Sequence, residues 1–508
     1  MTIDRRKFLR NSACTIVALT LGQYKDVFAQ KQKRQKEEKK PIKIDTGLKE
    51  LSETIILGRP TDSSVTLYAL AHTAATAWVM YDIQADKLAK KSDQIKVTKD
   101  ETLMVTITGL PKDTTCHYQI CWTESGKEEV YKSDIGRFHT QRKDESEFTF
   151  AIHADPHMDH NSNVNTYTKT MANTLADKPD FLIDLGDTSM TGKLSKTRER
   201  AVERHMLLRH FFEKTCHSVP LFLVIGNHDG EDMSKIKNSP DCMSVWSTHA
   251  RMHLFPNPVP NEFYTGDNTD YKYVGVRTGY YAWKWGAAHF IVLDPYWFST
   301  KAKKGDTSGN WGVTLGKKQY DWLTEELTQS KSPFKFVFCH YLVGGFPKDD
   351  RGTNRGGIEA AHLFEWGGHN PDGTYEFDKK RPGWGKPIHQ LLVENGVSVF
   401  FHGHDHFYGK QNLDGIVYQE VPQPSHAGYT KINTAREYGY VKGTIIANSG
   451  HLRIKVNPKE AHVEYVRAFD REDSSKGWKN GSVADSYTLK PAKNGSPVKK
   501  SSGKIKKG

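Results

Sequence analysis

"FTFAIHADPH", residues 148–157, is an apolar run that breaks into an aspartate and a histidine. Its aromatic and β-branched residues read as a buried strand, which leaves Asp155 and His157 just past the strand's carboxyl end. The same pattern recurs downstream. Apolar strands "PDFLIDLG" (179–186), "VPLFLVIG" (219–226), "HFIVLD" (289–294), "FKFVFCH" (334–340) and "VSVFFHG" (397–403) alternate with amphipathic stretches. Helices are expected near 164–177, 197–214, 317–329 and 387–396. Such alternation predicts a layered α/β domain, taken as residues 143–490.

Upstream, residues 48–142 have a different grammar. Short strands such as "SVTLYALA", "TAWVMYDI", "ETLMVTITGL", "HYQICWT" and "IGRFHTQ" are separated by turns, with no helical period. They predict an all-β sandwich of about a hundred residues. "GLPKDTTCHYQICW" (109–122) resembles the edge of fibronectin-type modules, so a fibronectin/Ig-like domain is expected, as a spacer or pocket wall. "TQRKDESE" (140–147) reads as a polar linker. Two long interruptions, at about 230–280 and 344–385, follow strand ends, where substrate pockets are usually built. The aromatics of "GYYAWKWGAAHFIVLD" (279–294) read as a hairpin feeding the core.

A net charge of +12 over 508 residues invites a nucleic-acid partner until the charge is located. Residues 1–30, 31–40 and 491–508 carry +3, +4 and +6, which leaves the body at about −1. The balanced body requires no nucleic-acid partner. The basic tail 491–508 reads as disordered and solvated, with a weak contact to an anionic envelope as the sharper alternative. No run of about 18 apolar residues predicts a transmembrane segment. At the start, Arg5–Arg6 precede Phe8–Leu9, an apolar core Ala13–Gly22, and small residues at Val27 and Ala29. Residues 1–29 therefore resemble a twin-arginine signal peptide, with an ordinary secretory signal as the alternative, and 30–47 form a basic linker. Either signal implies a periplasmic or extracellular protein. Beyond it lie Cys116, Cys121, Cys216, Cys242 and Cys339, an odd, scattered set that implies buried thiols and no disulfide framework.

The polar residues at the strand ends form a series. "HADPH" offers Asp155 and His157, "LGD" Asp187, "IGNHD" Asn227, His228 and Asp229, "FCH" His340, and "GHDH" His404 and His406. Carboxyl ends of neighbouring strands converge in such sheets, so these side chains are expected to meet. Aspartate and histidine donors suit zinc, manganese or iron, and a pair of ions about 3.5–4 Å apart needs a set of this size. The ordered series D-x-H, G-D, G-N-H-D, H and G-H-x-H resembles the calcineurin-like metallophosphoesterases. With the β-sandwich in front, the layout is similar to purple acid phosphatases over about residues 48–470.

That resemblance implies an αββα sandwich and two divalent or trivalent ions. Asp155, His157 and His406 would hold one ion, Asn227, His340 and His404 the other, and Asp187 would bridge. Gly186, Gly226 and Gly403 would let the backbone turn at the strand ends. His228 would be the catalytic acid, with Asp229 orienting its imidazole and raising its pKa. A water shared by the ions would attack phosphorus in line, and the cations would stabilise the equatorial oxygens. Two departures stand out. "GDTSM" has Met190 where purple enzymes, and the PhoD-type phosphodiesterases, carry a tyrosine, so no tyrosinate–iron colour is expected. "HYLVGG" lacks the proline that often follows the lone histidine.

The expected activity is an exported, metal-dependent hydrolysis of phosphate mono- or diesters with a small phosphorylated substrate. The competing reading is a catalytically inactive metal-binding or envelope-binding module. Arg351 and Arg355 are candidate phosphate contacts or ordinary loop arginines, and His426 is undecided. His402 matches no ligand position, Asp405 between the two histidines is expected to be free to vary, and His153 and Asp184 are expected inside their strands.

Overall fold

Phe148, Phe150 and Ile152 point from the strand Phe148–His153 into a core between two sheets, while Ala151 turns the other way onto a helical layer. The strand pairs in parallel with Phe181–Asp184, which pairs in parallel with Leu221–Leu223, so three strands finish on the same edge. The computed structural model describes residues 54–236, 239–300, 309–347 and 354–491. The expected signal peptide (1–29) and basic linker (30–47), Arg351 and residues 492–508 lie outside the described residues.

Three antiparallel strands, Gly450–Asn457, Glu460–Arg467 and Val483–Leu489, complete the first sheet. The second sheet runs, in spatial order, Thr265–Gly266, Tyr281–Trp285, Ala288–Val292, Phe334–Phe338, Val399–His402, Ile416–Glu420, Tyr408–Leu413 and Thr444–Ile446. Its central strands Ala288–Val292, Phe334–Phe338, Val399–His402 and Ile416–Glu420 are parallel. Aromatic rings fill the space between the sheets. Phe222 stacks on Trp283 with centroids 4.1 Å apart, and Phe338 stacks on Phe401 at 5.2 Å. Each such fully buried ring contributes about 1.5–3 kcal/mol. The hairpin Tyr281–Trp285/Ala288–Val292 belongs to this core, as its sequence indicates.

Helices cover both outer faces. Val164–Ala176, capped by the Asn163 side chain, and Arg198–Cys216 pack with Met243–Leu254 on the first sheet. Lys317–Gln329 and Ile388–Glu394 cover the second. The layers are thus helix, sheet, sheet, helix. The interruption at 230–280 contains a regular helix, Met243–Leu254, rather than loop alone. Among the described residues, no helix is long and apolar enough to cross a membrane, and the five described cysteines are free thiols.

In front stands a β-sandwich whose strands run from Ile56–Gly58 to Gly136–His139. In Thr102–Ile107, Leu103, Val105 and Ile107 are buried while Met104 is 51% exposed, the period-two signature of a half-buried strand. The sandwich is locked to the α/β layers. Arg209, on the helix Arg198–Cys216, donates to the carbonyls of Leu254, Thr54 (2.5 Å) and Tyr68 (3.0 Å). Tyr118 Oη donates to His217 O at 2.5 Å. The linker is pinned as well. Arg142 makes two bonds to Asp180 (2.8 and 3.0 Å), its carbonyl accepts the Gly286 N–H (3.1 Å), and Gln141 donates to Lys284 O (3.0 Å).

Candidate metal centre

The candidate ligands sit where strands stop and the chain must reverse. Asp155, His157, Asp187, His404 and His406 adopt φ values of 58, 52, 52, 79 and 63°. Side chains other than glycine rarely occupy this left-handed region, and such residues cluster at functional sites. The reversal turns each side chain into the crevice beyond the two sheets. Gly226 and Gly403 serve this crowding by close approach: a Cβ at Gly226 would collide with the backbone of Asp187, and one at Gly403 would lie 2.5 Å from Asp155 Oδ2.

Two triads result. Donor atoms of Asp155, His157 and His406 lie within 4.8 Å of one another, and so do those of Asp187, His340 and His404. Asp155 Oδ1 faces His406 Nε2 at 3.3 Å, His157 Nε2 at 3.5 Å and His340 Nε2 at 3.8 Å. Asp187 Oδ2 lies 3.5 Å from both His157 Nε2 and His340 Nε2 and 4.0 Å from His228 Nε2, between the triads. Asn227 Oδ1 is 3.1 Å from His340 Nε2. His340 Nδ1 donates to the Leu185 carbonyl at 2.8 Å, which turns Nε2 inward, where it can serve an ion once deprotonated. Asp155 Oδ1 and His157 Nε2 are buried with no hydrogen-bond partner.

Burial opposes charge throughout this crevice, yet carboxylates and imidazoles charge one another. Asp155 is held well below the usual carboxylate range by His340 and His406 despite its burial, and Asp187 by His340 and His228 despite its own. His157, against the effect of burial, is raised well above an ordinary imidazole by Asp155, Asp159 and Asp187. His340 is pushed up to about 9, because Asp187 and Asp155 outweigh its desolvation. His228, 35% exposed at its side chain, is lowered by burial. A cluster of carboxylates and imidazoles with unsatisfied donor atoms suits cations, which take the place of the protons these groups now share.

Three sequence expectations change, and one open position is resolved. Asp229 does not orient His228. Its Oδ1 accepts the Ser189 N–H at 2.8 Å and its Oδ2 the Gly226 N–H at 2.8 Å, so it ties two strand-end loops together, and His228 is shifted down rather than up. Asp405 is not free to vary: it is buried and accepts from Arg355 (2.9 Å), Gly356 N–H (3.1 Å) and Tyr440 (2.7 Å). Arg355 turns inward onto Asp405 and the His404 carbonyl rather than outward to solvent. His402 is buried against Glu420, with Nδ1 2.8 Å from Oε2, and burial lowers its pKa to about 3. Glu420 escaped the sequence reading altogether. Its Oε1 accepts the N–H groups of Asp405 (3.0 Å) and His406 (3.1 Å). Its position opposite His402 depends on strand register, which a lone sequence does not display. His153 and Asp184 close their strands as expected, and His426 accepts the Gly428 N–H on Nδ1 at 2.7 Å.

Comparison with known proteins gives this geometry a context. Residues 148–408 match the calcineurin-like phosphoesterase family. The chain is similar in fold to the structure of PhoD, at 14% identity and a TM-score of 0.59, covering 87% of this chain and 90% of that one. It is likewise similar to purple acid phosphatase PPD1 from yellow lupin (Lupinus luteus) seeds, at 13% identity and a TM-score of 0.55, covering 86% and 74%. No curated protein sequence matches the chain.

Proposed function

The chain belongs to the calcineurin-like phosphoesterases, metal-dependent hydrolases of phosphate esters, and from that premise we propose a binuclear centre with assigned ligands. Asp155, His157 and His406 hold one ion; Asn227, His340 and His404 hold the other. The observation that carries this reading is the place of Asp187, whose Oδ2 stands 3.5 Å from an imidazole of each set and so suits a bridge. The orphaned Asp155 Oδ1 and His157 Nε2 fit a cation, and the mixed histidine, carboxylate and amide donors suit zinc, manganese or iron. When bound, two such ions lower the pKa of a water they share and draw charge from phosphoryl oxygens.

The chain's own residues supply the rest. The His228 N–H donates to Asp187 Oδ1 at 2.7 Å, which fixes the turn that carries the imidazole over the crevice. From there Nε2 carries a proton to the leaving oxygen of the ester or donates a hydrogen bond to it. Asp155, Asp187 and His340 are buried, and the low local dielectric strengthens their interactions with any charge in the crevice.

Asp187→Asn tests the centre: hydrolysis should vanish and metal content, read by elemental analysis, should fall. Turnover retained in that variant would defeat the assignment. A paired monoester and diester assay on the metal-loaded protein then identifies the ester class.

Export to the periplasm or beyond is the second part of the proposal. It is supported by Arg5–Arg6, the apolar segment and the small residues at 27 and 29. Replacing both arginines by lysine should retain the precursor inside cells if the twin-arginine route is used. Deleting residues 491–508 should release the protein from envelopes if the basic tail binds them, and leave activity intact.

A further inference from the structure

Among its described residues, the long insertion after His340 reaches the metal centre through the Arg355 side chain. Its neck is closed by the Phe346 N–H donating to Arg355 O at 2.8 Å and the Asn354 N–H donating to Phe346 O at 3.2 Å. At that neck the Arg355 guanidinium turns inward. Its Nη1 donates to the backbone carbonyl of His404 and, at 2.9 Å, to Asp405 Oδ1. The Tyr438 ring covers the guanidinium, 4.3 Å from its carbon. The residues that follow are sewn to the neighbouring hairpin: Gln411 Oε1 accepts the Ile358 N–H at 3.0 Å, and Glu359 Oε1 accepts the N–H groups of Val441 and Lys442, both at 3.0 Å.

His404 is held from two directions. Its N–H donates to Asp155 Oδ2 at 2.8 Å, and its carbonyl receives Arg355, across a residue whose φ is 79°. A guanidinium suits this post because one of its nitrogens, Nη1, carries two N–H donors and reaches a carbonyl and a carboxylate together. Its Nη1 is taken by these two acceptors, so through that nitrogen Arg355 acts on the centre by way of His404.

We propose that Arg355 is a positioning residue that couples residues 354–360 of the insertion to the ion site containing His404. The proposal rests on the reading of His404 as a ligand. Coupling between sites is reciprocal, so ion binding must order the insertion as far as the insertion favours the ion.

The test uses the full-length protein, stripped with a chelator and titrated with manganese(II) and, in parallel, zinc(II). Bound metal and amide hydrogen exchange are followed together. In the wild type, ions should slow exchange both at residues 153–160 and at 354–360. In Arg355→Met, ion affinity should drop about tenfold or more, the range for lost outer partners of a ligand. Saturating ion should still slow exchange at 153–160 in that variant but no longer at 354–360. Arg355→Lys, which keeps one charged donor, should recover part of both effects, and it carries the comparison if the methionine variant does not fold. Unchanged exchange in the sandwich strand Ala75–Asp82 reports an intact fold. Equal protection of 354–360 in wild type and Arg355→Met would overturn the proposal. So would a wild-type response confined to 153–160, which would leave the metal centre standing. No bound ion and no protection anywhere would remove the metal centre and the coupling with it.

Discussion

His228 and Asp229 are neighbours in sequence and part company in space. His228 projects over the crevice, within 4.0 Å of Asp187, while Asp229 turns back to the amides of Gly226 and Ser189. Their variants should separate accordingly. His228→Ala should keep its metals and lose about a hundredfold or more in kcat, measured on metal-loaded protein. Asp229→Asn replaces one acceptor oxygen by an NH2 that faces a backbone donor, so it should cost about 1–3 kcal/mol in denaturant unfolding. An Asp229→Asn variant of full stability would contradict the tie. The candidate ligands themselves were legible because polar residues interrupt apolar strands at their ends. Asp405 was not, because adjacency to His404 and His406 says nothing of which way a turn aims its middle residue. Glu420 was not, because it lies inside a strand and acts through register.

At the scale of elements, the alternating strands and the helices Val164–Ala176 and Lys317–Gln329 follow from hydrophobic period. The helix Met243–Leu254 does not, because its buried face includes Ser244, Ser247, Thr248 and Arg251. A buried ion cluster compensates. Arg251 and Arg277 both bind Glu231, at 2.6 and 2.9 Å, and Arg277 also binds Asp294. Burial alone would raise the Glu231 pKa, but the two arginines lower it from 4.5 to about 2. The folded carboxylate therefore holds a proton less tightly than the unfolded one. Its contribution, about 3 kcal/mol at neutral pH, is complete above pH 4.5 and is lost as the pH falls through about 2. The difference in unfolding free energy between wild type and Glu231→Gln should thus be constant from pH 7 to 5 and shrink below. A difference that persists unchanged at pH 3 would refute this account.

At the scale of the molecule, the sandwich and the α/β layers share a polar seam that composition alone conceals. Arg209 is 1% exposed and satisfies carbonyls from both parts, and burial lowers its pKa to about 10. Arg209→Met should cost about 3 kcal/mol by leaving those carbonyls without a donor, with KM for a small phosphate ester unchanged. A shifted KM would instead place the seam in the route to the crevice. The charged run "TQRKDESE" looks like a flexible connector on paper, yet Gln141 and Arg142 are bonded to Lys284, Gly286 and Asp180. The sandwich is therefore tethered to the α/β layers twice over, by its linker as well as by the Arg209 seam, and the two parts should melt as one cooperative unit.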